Sequence, residues 1–175
     1  MWSSSGAARA LRAGAAALAV VATALVAAGC GFQLRGEFHY PFSTIYIDAP
    51  EGNPITLALR RTLEGAGGAR VVDSAAAAQV ILEVPTPVED KSVLSLSGAG
   101  RVREFLLTYR VTYRLHDASG REWLPRSEIT LRRSYTFAET EVLAREYQEV
   151  RLFREMQTDA VQQIARRLQV AKPPA

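Results

Sequence analysis

The sequence predicts an α+β sandwich in which two helices pack on a four-stranded, mostly antiparallel sheet, in the order β-α-β-β-β-α. Three observations carry this. Residues 107–115 alternate apolar and polar side chains, and Phe105 continues the apolar set. Residues 53–65 and 140–169 repeat apolar side chains mostly at three- and four-residue steps. Turn-forming SGAG and DASG segments separate the long strands. Two amphipathic helices cover one face of such a sheet and leave the other for solvent or a partner.

The chain opens on small and polar residues with Arg9 and Arg12. A sixteen-residue uncharged run, AGAAALAVVATALVAA at 13–28, follows. This is a secretory signal pattern, shorter than the roughly 20 residues of a membrane span. Ala27, Ala28 and Gly29 supply the small side chains a signal peptidase needs, directly before Cys30, the single cysteine. VAAGC resembles the bacterial lipobox, with Ala27 where leucine is most usual. It implies removal of residues 1–29 and lipid attachment at Cys30. Gly31 stands where aspartate marks inner-membrane retention, so the expected destination is the outer membrane, facing the periplasm.

Residues 30–43 read as a lipid-anchored tether. TIYID at 44–48 is a short strand. Asn53 and Pro54 begin a helix as N-cap and first helical residue, Ile55, Leu59 and Leu63 form its buried face, and Gly65, Gly67 and Gly68 end it. Ser74 caps one turn of the Ala75–Ala78 run. Residues 79–96 form a strand bent near Pro85 and Pro87, since proline in a strand marks an edge or bulge. After the 97–100 turn, Phe105, Leu107, Tyr109, Val111, Tyr113 and Leu115 share the buried face of the next strand. The strand at 121–137 turns Ile129, Leu131, Tyr135 and Phe137 to one side. In the last helix the apolar positions are Leu143, Tyr147, Val150, Phe153, Val161, Ile164 and Leu168. Glu139 and Glu141 lie near its positive end and Arg166 and Arg167 near its negative end. The domain spans 44–170, and 171–175 is a tail.

One cysteine forms no internal disulfide, and His39 and His116 lie apart with no Cys or paired carboxylates nearby, which speaks against a metal site. No nucleophile elbow or phosphate cradle occurs, so the chain is not read as an enzyme and calls for no cofactor. His116 with Asp117 reads as a turn pair. Arg9 and Arg12 are two of the 21 Lys and Arg residues. The rest of the chain carries 19 against 18 acids, a formal +1, so anion binding must come from local clusters. Arg101, Arg103, Arg110 and Arg114 follow the 97–100 turn, Arg126, Arg132 and Arg133 lie on the next strand, and Arg145 is in the last helix. Arginine matches phosphate with a planar, permanently charged fork. Export excludes nucleic acid, leaving lipopolysaccharide as the abundant polyanion.

GCGFQLRG at 29–36, the stretches at 104–111 and 137–151, and the element order together resemble the LPS-assembly lipoproteins, the LptE (RlpB) family, over essentially the whole mature chain. The resemblance implies a two-helix, four-strand domain seated in the lumen of a large outer-membrane β-barrel, LptD. There it would act as plug and assembly chaperone and bind lipopolysaccharide. The family's lysine at the start of the last helix falls on Arg145, its hairpin cation has Arg101 as the nearest residue, and Arg103 is a further candidate for lipopolysaccharide binding. The alternative reading is a stand-alone periplasmic carrier holding an amphiphile between helices and sheet.

Overall fold

A computed structural model of the chain describes residues 39–65, 69–136 and 142–174, without the side chains of 142–146. All belong to the compact unit Glu37–Ala175. The elements are β1 (Thr44–Asp48), α1 (Pro54–Gly65), β2 (Arg70–Val72), a 3-10 turn (Ala75–Ala77), β3 (Val80–Glu83), β4 (Val88–Leu96), β5 (Val102–Asp117), β6 (Glu122–Thr136) and α2 (Val142–Gln169). The α+β architecture is the expected one, but the described residues hold six strands rather than four. Pro85 and Pro87 divide the strand expected at 79–96 into β3 and β4, because proline has no N–H to give a ladder. β2, three residues long, is too short to show an alternation.

The strands form one sheet. β1 is parallel to β2 and β3, whereas β5 is antiparallel to β3, β4 and β6. β6 follows β5 from Glu104 to His116, so β3 and β4 must share the other edge of β5, end to end. Alternation along β5 holds as expected: Leu107, Tyr109, Val111, Tyr113 and Leu115 are buried, while Leu106, Thr108, Thr112 and Arg114 are half-buried and Arg110 is exposed. Both helices contribute to the single core cluster on the buried face.

α1 starts where the sequence places it. The Asn53 side-chain oxygen accepts the Ile55 N–H at 3.3 Å, and its amide donates to the Val84 carbonyl at 3.2 Å, fixing the helix start to the end of β3. Ile55, Leu59 and Leu63 are fully buried, each contributing about 1.5–3 kcal/mol. Gly65 is the last residue of α1, while Gly67 and Gly68 lie outside the described residues. Ser74 makes no side-chain cap, and only its carbonyl accepts the Ala77 N–H.

The packed stripe of α2 is Leu152, Met156, Ala160, Ile164 and Leu168, at four-residue steps, flanked by Val161 and Ala165. This corrects the expectation for Tyr147 and Val150, which are 78% and 50% exposed. Position 150 lies about 200° around the helix from 152, on the outward side. The side chain of Leu143, and Phe137 altogether, fall outside what is described. Before β1, Tyr40 stacks on Phe42 at 5.4 Å and Phe42 meets Trp123 of β6 edge-on at 6.2 Å. Tyr40 and Phe42 are buried, so the stretch read as tether runs too far. Ala171, read as tail, is buried as well.

Candidate functional site

The sheet face away from the helices is where the arginines can act, and the structure sorts them by partner. Arg114 is committed: its Nε and Nη2 donate to the two oxygens of Glu83 at 3.1 and 2.5 Å. The His116 Nε2 lies 3.0 Å from the same carboxylate and Arg126 3.9 Å away. The Arg114 hydrogen bond holds the Glu83 carboxyl below its ordinary range, against the opposing effect of burial. Arg133 reaches from the helix-covered face to Asp159 of α2 at 2.7 Å. These cations serve the fold.

Arg110 and Arg132 differ. Both are exposed, and neither has an ion pair among the described residues. Thr108 pairs with Arg132 and Arg110 with Thr130, so the two guanidinium groups stand diagonally across β5 and β6 on the open face. Arg103 is exposed too, but it has the parity of Phe105 and Leu107 and belongs to the other face. Arg101 follows the hairpin turn, where its N–H donates to the Ser97 hydroxyl at 3.1 Å and its carbonyl accepts the Ser97 N–H. Gly100 takes φ +75° in that turn, a conformation open to glycine. Arg145 lies one turn before Glu149 in α2, and its side chain is outside the described residues, as is Cys30.

One cluster was not foreseen, and the expected turn at Asp117 gains its detail. The Lys91 ammonium sits 4.3 Å from the Phe105 ring centre and donates to Glu149, which also accepts the Tyr135 hydroxyl, so β4, β6 and α2 close on one carboxylate. Asp117 turns away from His116 into the β5–β6 turn. It accepts the Ser119 hydroxyl and N–H at 2.6 and 2.9 Å, the Arg121 N–H at 3.0 Å and the Arg121 Nε at 2.8 Å. The Ser119 hydroxyl chiefly lowers its pKa from 3.8 to about 2. That is a structural carboxylate, not half of an acid–base pair. Among the described residues, no group of three His, Cys, Asp or Glu side chains is placed to hold a metal, and no helix is long and apolar enough to cross a membrane.

The family model for LptE, lipopolysaccharide-assembly, matches residues 42–168. The chain belongs to the LptE family. This LptE-family chain is also similar in structure to lipoprotein B from Nitrosomonas europaea, at 41% identity and TM-score 0.70, over 79% of this chain and 90% of that one. Rare lipoprotein B from Shewanella oneidensis gives 25% identity and TM-score 0.63, over 72% and 93%. A minor lipoprotein from Acinetobacter baumannii shares the fold, at 22% identity and TM-score 0.61, over 76% and 98%. No curated protein matches the sequence. Membership places the chain in lipopolysaccharide assembly.

Proposed function

We propose that residues 1–29 are removed, that lipid on Cys30 anchors the chain in the outer membrane, and that the domain sits in the lumen of an LptD-type β-barrel. There it helps the barrel assemble and takes part in lipopolysaccharide transport and insertion at the cell surface. The observation that carries this is family membership over the packed domain. Arg110 and Arg132, exposed on the open face and without an ion pair among the described residues, support it, because a barrel lumen is polar and accommodates a charged surface. The anchor and the barrel are two linked attachments, so each raises the effective concentration for the other. Arg145, Arg101 and Arg103 are the proposed phosphate contacts. A stand-alone carrier would need room for an amphiphile between helices and sheet, and that space is filled by Leu59, Leu63, Leu107, Tyr109, Met156 and Ile164, all essentially inaccessible.

The deciding experiment is a mild-detergent pull-down of the tagged, lipidated protein. A β-barrel recovered in equal amount supports the plug. Recovery of the lipoprotein alone across several detergents overturns it in favour of the carrier. At the residue level, Arg145→Glu is expected to weaken lipopolysaccharide binding without unfolding the domain. Unchanged binding at matched salt would remove Arg145 from the site.

A further inference from the structure

β1 runs beside β3 and stops at Asp48, whose carbonyl accepts the Val84 N–H at 2.8 Å as the chain turns away into α1. β4 continues the line of β3 alone. One of its edges pairs with β5, and no described strand takes the other. From Val88 to Val93 the ladder to β5 is regular, before the irregularities between Val93, Ser95 and Leu96. Six residues give roughly 20 Å of unpaired backbone N–H and C=O groups, the template that invites an added strand. Every residue of β4 except the half-buried Ser95 is exposed, including Val88, Val93, Leu94 and Leu96 at 49–57%.

The chemistry of the edge changes along its length. At its foot, Asp48, Glu89 and Asp90 make no ion pair among the described residues, and Asp48 and Glu83 line a cleft of about 440 Å³ with Ala49, Pro50, Val84 and Pro85. Arg110, one strand inward, does not neutralise Asp90 by direct contact. Lys91 comes next but faces the helix-covered side, opposite Leu107, and is held by Glu149. Beyond it the edge presents only valine, leucine and serine. The edge is therefore acidic at one end and apolar at the other.

We infer that the outer edge of β4 is a strand-addition site for an extended segment of a partner protein, running antiparallel to β4, with basic residues at its C-terminal end over Asp90 and Asp48 and apolar residues toward Leu94 and Leu96. Main-chain hydrogen bonds supply the affinity of such an addition, and flanking side chains the specificity. Antiparallel pairing is the slightly more stable choice per residue. A closed barrel wall has no free edge to offer, so the occupant is a loop or terminal segment, and the inference does not depend on seating in a lumen.

The test uses the full chain, isotope-labelled, with a synthetic ten-residue peptide of alternating valine and threonine ending in two lysines. Amide hydrogen exchange is followed along β4. The peptide is expected to slow exchange at residues 88–93 roughly tenfold, equivalent to about 1.4 kcal/mol. A version N-methylated at alternate residues is expected to give no protection. Asp90→Lys, a change at an exposed position, should weaken binding roughly fivefold, as loss of an exposed ion pair permits. Binding without β4 protection, or binding indifferent to Asp90→Lys at matched salt, overturns the assignment. Protection that appears without peptide and rises with protein concentration places a second copy on the edge and overturns it equally.

Discussion

Asp117 shows how much one side chain settles. A turn largely withdrawn from water would be a poor place for a lone charge, yet four donors from Ser119 and Arg121 converge on it. Its pKa is lowered to about 2, so its contribution to stability is complete above the ordinary 3.8 and is lost as pH falls from there toward 2. Asp117→Asn is expected to lower the thermal midpoint at neutral pH, with the gap to the unaltered protein closing between pH 3.8 and 2. A gap constant over that range would show that the charge is not what the turn uses. Burial gives a second contrast within one helix. Met156 is fully buried, and Met156→Ala is expected to cost about 2–5 kcal/mol in urea unfolding. Tyr147→Ala, at an exposed position, is expected to stay within about 0.5 kcal/mol of the parent. Equal losses would mean that the outward side of α2 is packed after all.

Among the elements, α1 depends most on one junction. Asn53 both caps the helix and ties it to the Val84 carbonyl, so Asn53→Ala removes the cap and leaves a buried carbonyl short of a donor. A loss of about 1–3 kcal/mol in chemical denaturation is expected, and a loss under a few tenths would show that neither bond matters. α1 and β5 were legible because each writes its own geometry locally: a cap and four-residue steps in one, alternation from Leu107 to Leu115 in the other. In α2 the facing was legible at Val161, Ile164 and Leu168, which are buried, but not in the first half of the helix. Tyr147 and Val150 fit a helical period, while the packed side runs through Met156, Ala160 and Ala165, small or flexible residues that carry little pattern. The division of β3 from β4 was hinted at by Pro85 and Pro87. The open edge it creates depends on where β1 ends, which no local pattern encodes. The arginines behave in the same way: their clustering was visible, but the sorting of Arg114 from Arg110 depends on Glu83, 31 residues away from Arg114 and brought beside it only by the β3–β5 register.

At the scale of the whole molecule, the position of Tyr40, the first buried residue among those described, limits what the proposed anchor can do. Tyr40 is ten residues from Cys30, and ten extended residues span at most roughly 35 Å, so a lipidated domain stays within that distance of its membrane. The limit holds only if Tyr40 and Phe42 remain seated against Trp123 and the end of the core. Were they part of a loose tether, the leash would be longer and the core would close without them. A chain begun at Glu37 retains both rings, and one begun at Ser43 has neither. Their urea unfolding curves, followed by circular dichroism, are expected to differ by at least the roughly 3–5 kcal/mol that a single buried aromatic contributes. Phe42→Ala in the longer chain is expected to reproduce much of that loss, since Phe42 touches both neighbouring rings. Coincident curves for the two chains would release the first strand's approach from the core, and the distance limit on the anchored domain would lapse with it.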